Sequence, residues 1–354
     1  MQSFKFETLP YHVLFGVDTL HNLPAEVDRL QLTRVLVLST RNHRHLAERV
    51  RDILDDRVAG LFCEAVMHTP VDVTTRAVEF ADRLHADGVV AIGGGSTTGL
   101  GKAIALRTQL PQIAVPTTYA GSEMTPVLGE TENGVKTTIR NPRLLPQSVI
   151  YDVNLTLGLP VDVSIPSGLN AMAHAVEALY AADANPITSL LADEGIRSLL
   201  EALPAIRDNP ADSEARSQAL YGAWLCGTCL AQAGMGIHHK LCHILGGSFG
   251  LPHAETHSVI LPHAIAYNLP AAPAAMARLS GILARPGNPA AAMHEFCRRL
   301  GAPLSLRDLG MPESGIAIAA RQAGSNVYPN PRPIEIPAVE QLIRRAWAGE
   351  TPQT

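Results

Sequence analysis

No stretch of this 354-residue sequence approaches the uninterrupted apolar run of about 18 residues that a membrane-spanning helix needs. The opening Met1-Gln2-Ser3-Phe4-Lys5-Phe6-Glu7 lacks the long apolar core of a secretory signal, and a cytoplasmic location is the expectation. Excess positive charge is missing as well. Lys and Arg number 28 against 33 Asp and Glu, a formal net charge of −5, so nothing draws the chain generally to nucleic acid or anionic membrane. An anionic ligand has to be held by local features, and the expected partner is a small molecule. A disulfide framework is also excluded, because the five cysteines are odd in number and scattered. Cys226-Gly227-Thr228-Cys229 is a CxxC with no second pair and reads as buried thiols on a helix.

What is present points to two domains. The chain is too long for one ordinary core, with 46% hydrophobic and 17% charged residues. Over the first 150 or so residues, short apolar runs alternate with helical patterns. Val35–Leu38, Gly88–Ile92, Ile113–Pro116 and Ser148–Tyr151 read as strands of a parallel sheet with helices on both faces. From Leu159 the character changes: Pro160 and Pro166 punctuate the crossing, and Ala-, Leu- and His-rich helical patterns follow. Leu169–Ala182, Pro186–Leu203, Glu214–Gln232 and Val339–Ala348 are the clearest. The reading is an α/β domain over 1–158 and an all-helical domain over 159–354, with the site expected in a cleft between them.

Gly93-Gly94-Gly95-Ser96-Thr97-Thr98 follows directly on the strand Gly88–Ile92 and precedes a helical pattern. Glycines at a strand-to-helix turn let backbone N–H groups approach a pyrophosphate, and the helix dipole adds to the attraction. The spacing is not the GxGxxG of the Rossmann fingerprint. Ser96, Thr97 and Thr98 are expected to cap the helix or bond phosphate oxygens. Pro116-Thr117-Thr118-Tyr119-Ala120-Gly121-Ser122-Glu123 comes after the next strand and would bring Thr117 and Thr118 to the same sheet edge. Ser39-Thr40-Arg41 ends the early strand, where a ribose-reading acid normally sits. No carboxylate is there to repel a 2′-phosphate, so NADH and NADPH are both admissible.

Six of the 14 histidines fall between residues 238 and 263: His238, His239, His243, His253, His257 and His263. His239 and His243 are one helical turn apart, and Asn170 and His174 form a second such pair inside an apolar helical pattern. Imidazoles so arranged serve either as metal ligands or as general acids. His12, His21, His43, His45, His68, His85 and His294 read as structural or solvated. His253-Ala254-Glu255-Thr256-His257 is not the HExxH of zinc proteases.

Taken in order, these motifs resemble the iron-type (group III) alcohol dehydrogenases, and the likeness runs on to Asn330-Pro331-Arg332-Pro333. In that family an Asp, a His four residues on and two further His fourteen apart hold the metal. His174, His239 and His253 fall at the histidine positions, and His243 at a further histidine near the nicotinamide. Asn170 stands where the Asp belongs, Gly99 replaces a second family Asp, and the Pro-Thr-Thr segment is one residue short. A neutral amide is a poor ligand for a hard divalent cation. With Asn170, the segments Gly93–Leu100, Pro116–Glu123 and His238-His239-Lys240-Leu241-Cys242-His243 are similar to the maleylacetate reductases.

The resemblance implies a Rossmann-like α/β domain plus an all-α domain of the dehydroquinate synthase-like kind, in a homodimer. It implies NAD(P)H-dependent reduction of the conjugated double bond of maleylacetate to 3-oxoadipate, in aromatic-compound degradation, with no metal required. On this reading hydride addition leaves charge on the ketone oxygen and the protein supplies a proton. His243 is the expected donor, with His239 and His253 polarising or orienting, and His174 and Asn170 complete the expected catalytic set. The cofactor would meet Ser39, Thr40, Gly94, Gly95, Ser96, Thr117, Thr118 and, at its ribose, Lys136. Lys240, Tyr328, Arg332, His238 and His257 are the candidates for the dicarboxylate substrate. Three rivals stand beside this: a metal-dependent alcohol or aldehyde dehydrogenase of the same superfamily, a dehydroquinate synthase-like lyase, and a catalytically silent binding protein.

Overall fold

The structure, a computed structural model, describes residues 4, 6–133, 135–285, 287–325 and 328–353, with the side chains of residues 135 and 136 outside that set. Two compact units divide the chain: one is Thr8–Leu159, and the other is Pro160–Thr354 together with the segment before Thr8.

In the first unit the chain runs β1 (Val13–Gly16), α1 (Leu23–Arg29), β2 (Val35–Leu38), α2 (Arg44–Leu54), β3 (Val58–Phe62) and α3 (Val71–Arg83). It continues as β4 (Gly88–Gly93), α4 (Gly95–Thr108), β5 (Gln112–Pro116), β6 (Val127–Glu132), β7 (Val135–Arg140) and β8 (Ser148–Asp152). Six strands form one sheet in the order β1-β8-β5-β4-β2-β3, every pair parallel, while β6 and β7 make a separate antiparallel hairpin. β2 shows why its sequence is apolar without alternation. Val35 and Val37 enter a core with Leu20, Leu23, Val27 and Val50, and Leu36 and Leu38 enter one with Val73, Ala77, Leu100 and Ile104. Successive side chains point to opposite faces and both faces are covered by helices.

The chain leaves β2 toward β3 on one side, then crosses back to β4 on the other. The strand order therefore reverses between β2 and β4, and ligands of open α/β sheets settle beyond the strand ends at such a reversal. Ser39 and Gly94 emerge there, and Gly93 pairs across to Pro116 of β5, which brings the loop after β5 to the same edge.

Helices make up the second unit: α5 (Val161–Tyr180), α6 (Pro186–Asp208), α7 (Ser213–Gln232), α8 (Ile237–Phe249), α9 (His253–Asn268), α10 (Pro273–Ile282), α11 (Pro289–Arg299), α12 (Gly315–Ser325) and α13 (Ile336–Ala348). α5 is buried without a break from Ser164 to Tyr180, and α9 from Thr256 to Asn268. A helix with no solvated face lies inside its domain. α5 packs against α6, α7 and α9, and α9 also against α8, α11 and α13.

α5 begins eight residues before the expected Leu169 and passes through Pro166. A proline in the second turn forfeits one amide bond, and nearby Ser164 donates its hydroxyl to the Pro160 carbonyl at 2.9 Å. α6 likewise runs through Pro204 to Asp208, beyond the expected Leu203. All five cysteines are buried thiols, and burial pushes Cys229 up to about 12, which leaves the CxxC unreactive.

Candidate active site

At the end of β4 the turn is tighter than the sequence suggested. Gly94 alone separates strand from helix, and α4 starts at Gly95. Ser96, Thr97 and Thr98 therefore lie within the first turn instead of capping it, and no side chain caps α4. Thr97 and Thr98 are buried, whereas Gly95 is exposed and Ser96 half-buried. Gly93 sits at φ +149°, and a Cβ there would lie 2.5 Å from Thr97 Oγ1. A Cβ on Gly94 would lie 3.0 Å from Thr118 Cγ2. The Thr117 amide donates to the Gly93 carbonyl at 3.0 Å, so the loops after β4 and β5 close on each other. A 14-residue helix with glycine as its N-cap and no side-chain cap from that residue offers amides and a dipole that could hold an anion such as a pyrophosphate.

The flanking residues have more varied roles. Ser39 is buried, with its hydroxyl turned back to the Thr40 carbonyl at 3.1 Å. The Thr40 hydroxyl lies 2.8 Å from His43 Nδ1. Arg41 is 81% exposed in its side chain and 4.0 Å from Glu64. The Lys136 side chain lies outside the described residues.

Beneath the loops, Lys102 of α4 is buried and bonds the Ser122 carbonyl, Thr125 Oγ1 (2.9 Å) and the Val127 carbonyl (2.9 Å). Burial pushes this ammonium down to about 7, opposed by the charge of Glu123. Glu123 is itself buried, which raises its pKa, and accepts from the Tyr151 hydroxyl at 2.8 Å. Lys102 thereby pins the loop after β5 to α4. Gly99 has its own neighbour: a Cβ there would lie 2.5 Å from Thr69 Oγ1, in a segment where His68 and Thr69 adopt φ of 67° and 46°.

The second unit gathers the histidines. Asn170 and His174 are 4% and 3% exposed, one turn apart on α5. A turn further, Glu177 is fully buried. Its Oε2 accepts from the amides of Gly236 (3.1 Å) and His239 (3.3 Å) and from His239 Nδ1 (2.6 Å). Its Oε1 accepts from the His238 amide (3.0 Å) and the Tyr180 hydroxyl (3.2 Å). One carboxylate thus satisfies the Gly236, His238 and His239 amides at the start of α8 and complements its dipole. The same carboxylate assigns the His239 proton to Nδ1 and leaves the Nε2 lone pair facing the cluster. Nε2 is buried with no hydrogen-bond partner among the described residues.

Around His239 the ring centroids of His174 and His257 both lie at 5.0 Å and that of His243 at 6.3 Å. His253 is 4.4 Å from His257 and stacks on His243 at 6.5 Å. Burial, and then the neighbouring imidazoles, hold His174, His238 and His257 well below the ordinary histidine range. They are neutral at pH 7. His243 and His253 are half-buried, the more accessible pair of the cluster.

Several expected residues take other places. His263 leaves the cluster and faces His294 at 6.5 Å, because α9 turns that side toward α11. His238 and His257 are fully buried and bonded to each other (Nε2 to Nδ1, 2.9 Å), so neutral, covered rings are not carboxylate binders. Arg332 lies 4.4 Å over the Tyr267 ring and bonds its carbonyl. Its segment is locked by Asn330, which exchanges hydrogen bonds with Asn268 and accepts from the Ile237 amide at 3.1 Å. Lys240 and Tyr328 do come together, with Nζ 5.6 Å over the ring.

Glu177 is the residue bonded to the histidine cluster that sequence reasoning missed. A lone acid inside the apolar run Leu169–Tyr180, one turn after His174, was the available signal for Glu177. Among the described residues, the one group of His, Cys, Asp or Glu ligand atoms mutually within 4.8 Å is His238, Cys242 and His257. His174, His239 and His253 form no such group, and Asn170 brings an amide. Asn170 thus puts a neutral amide beside His174 where the family pattern has a carboxylate.

Residues 10–153 match the iron-containing alcohol dehydrogenases, and residues 164–347 match the C-terminal domain of the Fe-containing alcohol dehydrogenase family. A maleylacetate reductase of Rhizobium sp. (strain MTP-10005) is 54% identical over 353 residues, all of both chains. One from Burkholderia cepacia is 53% identical, covering 99% of this chain and 100% of its own. The crystal structure of maleylacetate reductase from Agrobacterium tumefaciens superposes with a TM-score of 0.95 at 55% identity, covering 99% of this chain and 100% of that one. With the parallel-sheet and all-helical units already described, these likenesses make the chain an oxidoreductase that belongs to the maleylacetate reductase branch of the iron-containing alcohol dehydrogenase family.

Proposed function

We propose that the chain reduces the conjugated double bond of maleylacetate to give 3-oxoadipate, with NADH or NADPH as reductant and no metal in the reacting step. The observation that carries this reading is the histidine cluster in which Asn170 replaces a carboxylate and Glu177 secures a carboxylate–imidazole pair with His239. When bound on Gly94, Gly95 and Ser96 and beside Thr117 and Thr118, the nicotinamide nucleotide supplies a hydride to the alkene carbon conjugated with the ketone.

The protein's own part is charge stabilisation and a proton. Glu177 fixes the His239 ring and stabilises it when protonated, so that Nε2 donates toward an oxygen on which charge develops. His243, half-buried and one turn from His239, is the proton donor, and His253 stacks on it and holds its orientation. A placed acid contributes roughly 10²–10⁴-fold. Lys240 and Tyr328 are the positions for the substrate's carboxylates, Lys240 by charge and Tyr328 by its hydroxyl. Arg332 acts behind them through Tyr267. A homodimer in the cytoplasm completes the reading.

Loss of NADH absorbance with maleylacetate, before and after exhaustive chelation, tests it. Undiminished turnover after chelation supports the metal-free step. Turnover that returns only with added metal refutes that step, and none under either condition refutes the substrate.

A further inference from the structure

We propose that His238, Cys242 and His257 form a site for one soft divalent cation of the zinc class, separate from the histidines of the reducing step. His238 and Cys242 are one turn apart on α8 and share a face, and His257 meets them from α9. Exposure is 0%, 1% and 0% in that order. His238 Nε2 lies 2.9 Å from His257 Nδ1 and 3.8 Å from Cys242 Sγ, and all three ligand atoms fall within 4.8 Å of one another. Metal bonds of about 2.0 Å to imidazole and about 2.3 Å to thiolate, at tetrahedral angles, set donor atoms roughly 3.3–3.6 Å apart. The two shorter separations lie on either side of that range and the third is within 4.8 Å, so the trio closes on an ion by side-chain adjustment alone, without moving the helices.

The donor set selects the ion. A thiolate with two imidazoles suits zinc or cobalt and disfavours magnesium and calcium, which take oxygen ligands. Binding replaces the S–H bond of Cys242 with a metal–sulfur bond and releases that proton. The ring that donates in the His238–His257 hydrogen bond moves its proton to its other nitrogen, so both facing nitrogens offer lone pairs. The bound ion cross-links α8 to α9 and fixes His257, whose ring lies 4.4 Å from that of His253.

Cobalt(II) titration of the chelated full-length protein reads the site by absorbance, independent of turnover. The expected result is one cobalt per chain with a thiolate-to-cobalt charge-transfer band, lost in Cys242→Ala. His257→Phe keeps a ring in place and is expected to weaken cobalt affinity at least tenfold. Circular dichroism of each variant shows whether it folds. Stoichiometric cobalt without the thiolate band would put the ion on other histidines and overturn the proposal. A band surviving in Cys242→Ala, full affinity in a folded His257→Phe, or no binding by the wild-type protein overturns it equally.

Discussion

Replacing Glu177 by glutamine removes one charge from the middle of the histidine cluster and almost no volume. The amide has a single acceptor, and the Oε2 position faces three N–H groups, those of Gly236, His239 and the His239 ring. The glutamine oxygen therefore seats there, and its NH2 is left facing the His238 amide that Oε1 accepts at 3.0 Å. One buried donor unpaired and several bonds stripped of charge assistance cost about 2–4 kcal/mol of stability. The His239 proton stays on Nδ1, because the carbonyl oxygen still accepts it. What disappears is the stabilisation of a protonated ring, and the expected loss is about 10²–10³-fold in kcat. KM for the nucleotide is expected to stay close to wild type, since no residue of the Gly93–Ser96 turn is touched. Steady-state NADH oxidation across pH, with urea unfolding of the same sample, separates the two effects. A folded Glu177→Gln enzyme with undiminished kcat and an unmoved pH profile would refute the coupling between this carboxylate and catalysis.

Gly94→Ala places a Cβ against Thr118, and the nucleotide KM is expected to rise about tenfold, equivalent to ~1.4 kcal/mol. Thr118→Ser removes the colliding Cγ2 and restores binding in the double variant; no restoration would count against the contact as the cause. His263 is held at about 3 by burial, so the native chain stays unprotonated there while the unfolded chain takes up a proton near 6.5. Stability from this group is therefore complete above pH 6.5 and is lost as pH falls toward 3. At ~1.36 kcal/mol per pH unit the loss is about 2 kcal/mol between pH 7.5 and 5.0. Urea midpoints at those two pH values should lie closer together in His263→Phe, and an unchanged interval contradicts the assignment.

Features that depend on neighbours in the chain were legible before the fold was known. The turn at Gly93 follows a strand and precedes a helix within a few residues, and the pairs Asn170/His174 and His239/His243 need only helical spacing. Features that depend on which helices meet were not. His238 and His257 look like further ligand-facing imidazoles until α8 and α9 close over them, and His263 joins the others only if one ignores the turn of α9 toward α11. Lys102 illustrates a different limit. A lysine within a helix reads as solvated, and only the loop after β5 and the start of β6 supply the three oxygens that let it be buried. Pro166 misplaced the start of α5 because a proline is costly inside a helix and tolerated near its beginning.

The contact between Gly99 and Thr69 reaches beyond this one chain. A side chain at position 99 would set its Cβ 2.5 Å from Thr69 Oγ1, so it is admitted only when the Thr69 hydroxyl turns away or its loop, with left-handed residues at 68 and 69, shifts. The two positions are thus epistatic. A substitution at 99 is expected to be tolerated or not according to the residue at 69. A carboxylate grafted at 99 therefore asks for a smaller residue at 69 as its permissive partner.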